Sequence, residues 1–168
     1  MPADLNPIDD VDRITAAWQR ERPDLAVTPL QVLSRVSRLA RHLDLARREA
    51  FAAHDLDTWE FDVLAALRRA GAPYALSPGQ LGTETLVTSG TMTNRIDRLE
   101  ERGLVRREPD PSDRRGVSVV LTDTGRTAVD SALFDLVARE HEVLSELSPE
   151  SQRELAALLR TLVRGFSG

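Results

Sequence analysis

The sequence predicts a mainly α-helical fold with one small β-hairpin near its middle. Two short helical segments lie just before the hairpin, and apolar residues recur at helical spacing on both sides of this central unit. The second short segment, from Thr88 to Gly103, places Met92, Ile96 and Leu99 on one face. A helix-turn-helix followed by a hairpin is a winged helix, here with N- and C-terminal helices that would serve dimerisation.

Length and composition exclude several classes of protein. The chain has 168 residues, enough for one ordinary domain or a small domain with dimerising extensions. It has no cysteine, which excludes disulfides, thiolate metal sites and cysteine redox sensing. No apolar run approaches the roughly 18 residues of a membrane span, and the acidic N-terminus does not resemble a signal peptide. We expect a soluble, cytoplasmic protein with no membrane partner and no cofactor.

The net charge of -5 argues at first against a nucleic-acid partner, because phosphate contacts normally need a basic surface. The charges are unevenly distributed, however. Five arginines lie between Arg102 and Arg115, whereas the N-terminal segment and the region from Glu140 to Glu154 are rich in acids. The uneven charge distribution is therefore compatible with a DNA partner.

Two helices are predicted before the central unit. The first runs from Asp4 to Arg20, where a proline-containing segment breaks it. The second is capped by Thr28, has Pro29 at its first helical position and carries one apolar stripe. Its other face is rich in arginine, which is typical of a solvated surface.

A third helix is predicted to begin at Asp57 or Thr58 and to end at Gly71. Its inward-facing residues are Phe61, Leu64 and Leu67. Asp62 lies in the middle of this apolar helix. Because an unpaired buried carboxylate is costly, we expect Asp62 to be partly exposed or paired with an arginine.

The helix-turn-helix begins at Ser77, an N-cap followed by Pro78. Residues 86–89 leave room only for a tight turn before the second helix, which Gly103 ends. The face of that helix opposite its apolar stripe could contact bases and phosphates. It carries Ser89, Gly90, Thr93, Asn94, Asp97 and Arg98. The plain alternative is that this face is only a solvated surface.

The hairpin is predicted from two β-prone runs, Leu104 to Glu108 and Val117 to Leu121, with a projecting polar turn between them. A long helix should follow from Thr122-Asp123 to about Glu146, and Ser148 should cap a last one. The apolar stripes of the terminal helices exceed what a small winged helix can cover. We expect a two-fold dimer built from the chain ends, with an intramolecular helical subdomain as the alternative.

These motifs together resemble the MarR family of bacterial transcriptional regulators. The resemblance rests on FDVLAALRRAG, LSPGQL, TSGTMTNRIDRLEERGLVRREPDPSDRRG and VVLTDTG, in the family's order and spacing. It implies N-terminal helices that serve dimerisation and form a wall of the ligand pocket (residues 1–53), a winged helix-turn-helix DNA-binding domain (54–125) and C-terminal dimerisation helices (126–168). It also implies a homodimer that binds double-stranded DNA at a palindromic operator and releases it when a small ligand binds.

The expected DNA contacts lie on the recognition helix and the wing. In the family, an aspartate-x-arginine pair positions a wing arginine for the minor groove, and Asp113 and Arg115 occupy those places. A narrow minor groove attracts guanidinium groups, which adds Arg114. The recognition-helix candidates are Ser89, Thr91, Thr93, Asn94 and Arg98.

The start of the chain resembles the urate-responsive branch of that family. The resemblance implies an anion site coupled to the recognition helix, made of Trp18, Asp62, Arg95 and Arg107. An indole and a guanidinium suit a planar aromatic anion such as urate or a phenolic acid, and an Asp62–Arg107 pair would be broken by it. The alternative is that Trp18 packs, the ion pair is structural and Arg95 contacts phosphate.

The remaining patterns favour no enzyme, since neither a phosphate loop nor a nucleophile elbow is present. The histidines His42, His54 and His141 lack a metal-ligand spacing. We therefore predict a ligand-responsive transcriptional regulator, most simply a repressor. Two alternatives stay open: a winged-helix module that binds only proteins, and a metal-sensing regulator.

Overall fold

The computed structural model describes residues 8–110, 113 and 116–166. The chain divides into two compact units, Met1–Leu45 and Ala46–Gly168. The helices are α1 (Asp10–Glu21), α2 (Thr28–Ala52), α3 (Thr58–Arg69), α4 (Pro78–Thr85), α5 (Ser89–Glu101), α6 (Asp123–Leu144) and α7 (Pro149–Arg164). The strands are β1 (Ala75–Leu76), β2 (Val105–Pro109) and β3 (Val117–Leu121).

The first helix begins later than the sequence predicted. The predicted start, Asp4, lies outside the described residues, but Ile8 and Asp9 are not helical and α1 begins at Asp10, so an unbroken helix from Asp4 to Arg20 is wrong. The Asp9 carboxylate accepts hydrogen bonds from the backbone N–H groups of Val11 (2.8 Å) and Asp12 (3.0 Å), and the Asp12 carboxylate accepts from the Asp9 N–H (3.1 Å). This reciprocal capping box satisfies donors that a longer helix would pair internally, and it fixes the start.

Ion pairs join α1 to the first part of α2 within the N-terminal unit. The Arg35 guanidinium lies 2.9 Å from the Asp9 carboxylate and 2.8 Å from that of Asp12. Arg38 lies 3.3 Å from Asp10. The arginine-rich face of α2, predicted to be plain solvated surface, therefore also holds the first helix.

The core of the unit Ala46–Gly168 is built around α3. Seven of its twelve residues are buried, and the Phe61 ring stacks on Phe51 with their centroids 3.9 Å apart. The predicted apolar stripe of α5 lies in the same core, since Met92, Ile96 and Leu99 are almost wholly buried. The buried faces that the sequence predicted for α3 and for α5 are therefore confirmed.

The wing belongs to a three-stranded antiparallel sheet in the order β1-β3-β2. The predicted hairpin is β2 paired with β3, with β2 displaced by one residue from the predicted run. The sequence analysis missed β1, which pairs Ala75 with Val120 and Leu76 with Val119. Two residues carry no readable alternation, so this strand exists only because β3 lies beside it.

Capping residues and a glycine set most of the remaining helix boundaries. Side-chain oxygens of Ser77, Thr88, Thr122 and Ser148 each accept from a backbone N–H in the first turn of the following helix. After α5, Gly103 takes a φ of +68°, a left-handed conformation that favours glycine. The caps at Ser77, Thr122 and Ser148 confirm the predicted helix starts, and Thr88 caps α5 after the predicted tight turn.

The C-terminal end of the chain leaves its apolar residues uncovered. None of the described residues of α7 is buried, and Leu158 and Val163 are each 60% exposed. Phe134 on α6 is 75% exposed. Among the described residues, no helix combines the length and apolar character needed to cross a membrane.

Candidate nucleic-acid interface

The recognition helix α5 presents a polar face to solvent. Its buried residues seat the helix on the core, and the residues between them point away from it. The five predicted contact residues on α5 are all exposed: Ser89, Thr91, Thr93, Asn94 and Arg98. The structure thus brings these candidates together on one surface, while their contact with DNA stays a prediction.

Local hydrogen bonds leave this face with usable donors and acceptors. The Thr93 hydroxyl donates to the Ser89 carbonyl oxygen (3.0 Å), and the Thr88 hydroxyl donates to the Thr91 hydroxyl (3.0 Å). Within the part of the chain that the structure describes, the Asn94 side chain has no hydrogen-bond partner. A side-chain amide can bond an adenine edge at two points, so Asn94 is well suited to base reading.

One flank of α5 contacts Trp59, a residue that the sequence analysis passed over. The guanidinium carbons of Arg98 and Arg95 lie 4.8 and 5.4 Å from the centre of its ring, within cation-π range. The indole N–H donates to the Asp57 carboxylate (3.2 Å). An open pocket here is lined by Trp59, Gly90, Thr91, Asn94, Arg95 and Arg98. The sequence did offer one indication of this contact: Trp59 lies outside the apolar stripe of α3, a position typical of a residue near the surface.

The other flank of α5 is tied to the wing by Arg107. Its guanidinium lies 2.5 Å from the Asp97 carboxylate and also pairs with Glu100, which accepts from the Arg107 backbone N–H as well (2.9 Å). Partial burial lowers the pKa of Arg107, but the hydrogen bonds that its guanidinium donates to Asp97 and Glu100 outweigh this effect and hold the pKa above its usual value. Arg107 is therefore a charged link between β2 and α5.

Asp62 and Arg107 do not form the ion pair that the sequence suggested. Asp62 instead lies 3.6 Å from Arg47, and its side chain is 45% exposed. The sequence predicted that Asp62 would be partly exposed or paired with an arginine; it is both, and the arginine is Arg47. Arg107 turns to Asp97 and Glu100 because both lie on the adjacent helix α5, at the spacing of one turn.

The three predicted ligand residues in the unit Ala46–Gly168 each contact other groups. Arg95 lies over Trp59, Arg107 bonds α5, and Asp62 faces Arg47. Trp18 belongs to the N-terminal unit, where it is 49% exposed on α1.

A second ion-pair cluster holds the C-terminal end of α5. Arg102, the C-cap residue, lies 2.6 Å from the carboxylate of buried Glu60 and donates to the carbonyl (2.6 Å) and carboxylate (2.8 Å) oxygens of Asp55. The Glu60 hydrogen bond holds the pKa of Arg102 above its usual value. The sequence analysis missed Glu60, although the spacing Asp57-x-x-Glu60 is a capping-box pattern.

Comparison with known proteins identifies the family. The model of the MarR family matches residues 54–116. Over 150 residues, covering 89% of this chain and 90% of the relative, the sequence is 41% identical to the HTH-type transcriptional regulator PecS of Dickeya dadantii. The chain belongs to the MarR family.

Further relatives agree with this assignment. The multiple antibiotic resistance protein MarR of Escherichia coli strain K12 is 31% identical over 71% of this chain and 82% of its own length. A crystal structure of a MarR mutant from E. coli complexed with operator DNA matches with a TM-score of 0.65 and 26% identity, covering 86% of this chain and 96% of that one. This MarR-family chain is accordingly a winged-helix transcriptional regulator and not an enzyme.

The wing tip of this MarR-family protein is described only in part. The Asp110 N–H donates to the Gly116 carbonyl oxygen (3.0 Å), and the Gly116 N–H donates to that of Asp113 (2.9 Å). Asp113 is exposed. The predicted DNA contacts Arg114 and Arg115 lie outside the described residues.

In the part of the chain that the structure describes, the histidines do not form a recognisable metal site. His54 lies 2.7 Å from the Asp135 carboxylate and joins the turn after α2 to α6. Across residues 8–110, 113 and 116–166, no group of three potential His, Cys, Asp or Glu ligands comes close enough to hold a metal ion.

Proposed function

We propose that this protein is a homodimeric repressor that binds a palindromic operator and releases it when a small aromatic anion binds. The observation that carries the proposal is the exposed polar face of α5, held by its buried Met92, Ile96 and Leu99 beside a wing. The E. coli MarR structure that this chain resembles holds operator DNA, which supports the same use of the fold here.

In this proposal the recognition helix reads bases and the wing reads the adjacent minor groove. Asn94 and Arg98 supply base-edge and phosphate contacts from α5, together with the hydroxyls of Ser89, Thr91 and Thr93. Asp113 orients the wing tip, where Arg114 and Arg115 enter the minor groove. Half-site centres should lie about 34 Å apart, because both helices must face the same side of the duplex.

Uncovered apolar residues support the homodimer. Leu33 on α2 is 54% exposed, and Leu162 on α7 is 47% exposed. On α7, Leu158 and Leu162 lie one helical turn apart and are both exposed, and apolar surface of this kind usually marks a protein–protein contact. A second copy is the natural partner, since a two-fold dimer presents two recognition helices to two half-sites.

The DNA proposal is tested by gel shift with a duplex selected by the wild-type protein from a random pool. We expect Arg115→Ala and Asn94→Ala each to weaken binding by about 1 to 3 kcal/mol, with Asn94→Ala relaxing preference at one base position. Affinity should also fall steeply as salt rises. Arg153→Ala, on an exposed part of α7, is the control. Binding without salt dependence would contradict the proposal.

The ligand proposal rests on the flanks of α5. An aromatic anion has a ring partner in Trp59 and guanidinium partners in Arg95 and Arg98. A second anion-sensitive point is Arg107, whose carboxylate partners Asp97 and Glu100 both lie on α5. An anion that competes with those carboxylates would loosen the wing from the recognition helix, a two-state change that lowers DNA affinity.

A thermal-shift screen with urate and salicylate tests the ligand proposal. A binding anion should raise the melting temperature of the wild type, and the rise should grow with the logarithm of the anion concentration above its dissociation constant. Arg95→Ala should abolish that shift. The matched control is Arg69→Ala, an exposed arginine on α3 whose loss should leave the shift unchanged. Equal shifts for Arg95→Ala and the wild type would place the ligand elsewhere.

A further inference from the structure

The buried carboxylate of Glu60 connects the start of α3 to the C-terminal end of α5, a contact that the proposed DNA-binding mechanism does not use. Its side chain is only 3% exposed, although it lies in the first turn of α3. One oxygen, Oε2, accepts both from the Asp57 backbone N–H (2.9 Å) and from Arg102 Nη1 (2.6 Å). Arg102 Nη2 reaches the carbonyl oxygen of Asp55. The end of α5 is thereby fastened to the turn before α3.

Stability alone does not account for this arrangement. Replacing a buried ion pair by apolar residues of similar volume is often neutral or stabilising, because both charges must be desolvated. Burial of Met92, Ile96 and Leu99 already attaches α5 to the core. Apolar packing is non-directional, however, whereas a forked guanidinium bonded to three oxygens fixes an orientation.

We propose that the Glu60–Arg102 pair positions α5 for DNA reading, so that Glu60, which itself contacts no DNA, determines operator specificity. This inference rests on the proposed DNA-binding function. The helix has 13 residues and is about 20 Å long, so its base-reading N-terminal half lies far from the anchored end. A tilt of about 3° at Arg102 would move Ser89 by about 1 Å, enough to spoil hydrogen-bond geometry.

The test compares binding of the full chain to two duplexes: one selected by the wild type from a random pool, and a shuffled duplex of the same composition. Glu60→Leu/Arg102→Met removes both charges of the pair, so the variant should fold, with a melting temperature lowered mainly by the loss of the hydrogen bond from the Asp57 N–H. We expect the ratio of selected to shuffled affinity to fall at least about tenfold. Glu60→Gln, which retains an acceptor oxygen for Arg102, should preserve most of that ratio.

The matched control is Arg68→Met/Asp130→Leu, which removes a 2.8 Å ion pair between α3 and α6 and should leave the ratio unchanged. A wild-type ratio in a folded Glu60→Leu/Arg102→Met protein would overturn the positioning role. If that variant does not fold, Arg102→Lys decides the matter, because it keeps the charge but loses the fork. A wild-type ratio for Arg102→Lys would then overturn the role. If the wild type selects no duplex, the proposed function itself fails.

Discussion

Helices α3 and α7 are both amphipathic, both begin at a polar cap, and yet they end in opposite environments. Seven of the twelve residues of α3 are buried, whereas none of the sixteen residues of α7 is. The leucines of α3 meet α5 and the sheet inside the same chain. The leucines of α7 are not covered in this way. An apolar stripe therefore predicts which face of a helix will be buried, but not whether the same chain or another molecule buries it.

The largest expected effect concerns α3. Leu64 is fully buried, so Leu64→Ala should lower the free energy of unfolding by about 2 to 5 kcal/mol through lost burial and a residual cavity. Denaturant unfolding at one fixed protein concentration measures it. The control is Leu86→Ala, since Leu86 is 92% exposed and should change stability by less than about 0.5 kcal/mol. Equal losses for the two variants would refute this assignment of the core.

The next effect concerns α7 and tests whether a second copy covers it. Leu158→Asp/Leu162→Asp should raise the dimer dissociation constant at least about 100-fold, because burying unpaired carboxylates costs several kcal/mol. Sedimentation velocity over a concentration series would show the shift to monomer. Arg160→Asp adds a similar charge on the polar side of α7 and should leave the dimer intact. An unchanged dimer in the double variant would exclude α7 from the interface.

The smallest effect concerns the exposed face of α3. Asp62→Asn removes the ion pair with Arg47, but the carboxylate is 45% exposed, so the free energy of unfolding should change by less than about 1 kcal/mol. Chemical denaturation beside the wild type would measure the change. A loss above about 2 kcal/mol would show that Asp62 has a further, buried partner.

Local chemistry explains which parts of the fold the sequence predicted. The caps Ser77, Thr88, Thr122 and Ser148 act within one turn, and the stripe of α5 repeats at the helical period, so both are readable from neighbours along the chain. The hairpin followed from two β-prone runs close in sequence. The start of α1 was misplaced because the apolar pattern continues upstream of the capping box at Asp9.

The candidate site was predicted less completely, because its charged contacts join distant segments. Arg107 could have met several carboxylates, and only the packing of β2 against α5 selects Asp97 and Glu100 over Asp62. Trp59 lies at the candidate site because Arg95 and Arg98, which follow more than 30 residues later in the chain, contact its ring. Similarly, β1 is a strand only through hydrogen bonds to β3.

The sequence by itself determined the succession of helices, the capped starts of α4, α6 and α7 and the polar face of the recognition helix, because these depend on residues within a few positions of one another. Only the tertiary structure decided which ion pairs form, which tryptophan lies against the recognition helix and which apolar stripes stay uncovered. Side-chain charges and rings select partners by distance in space, and that distance exists only after the elements have packed.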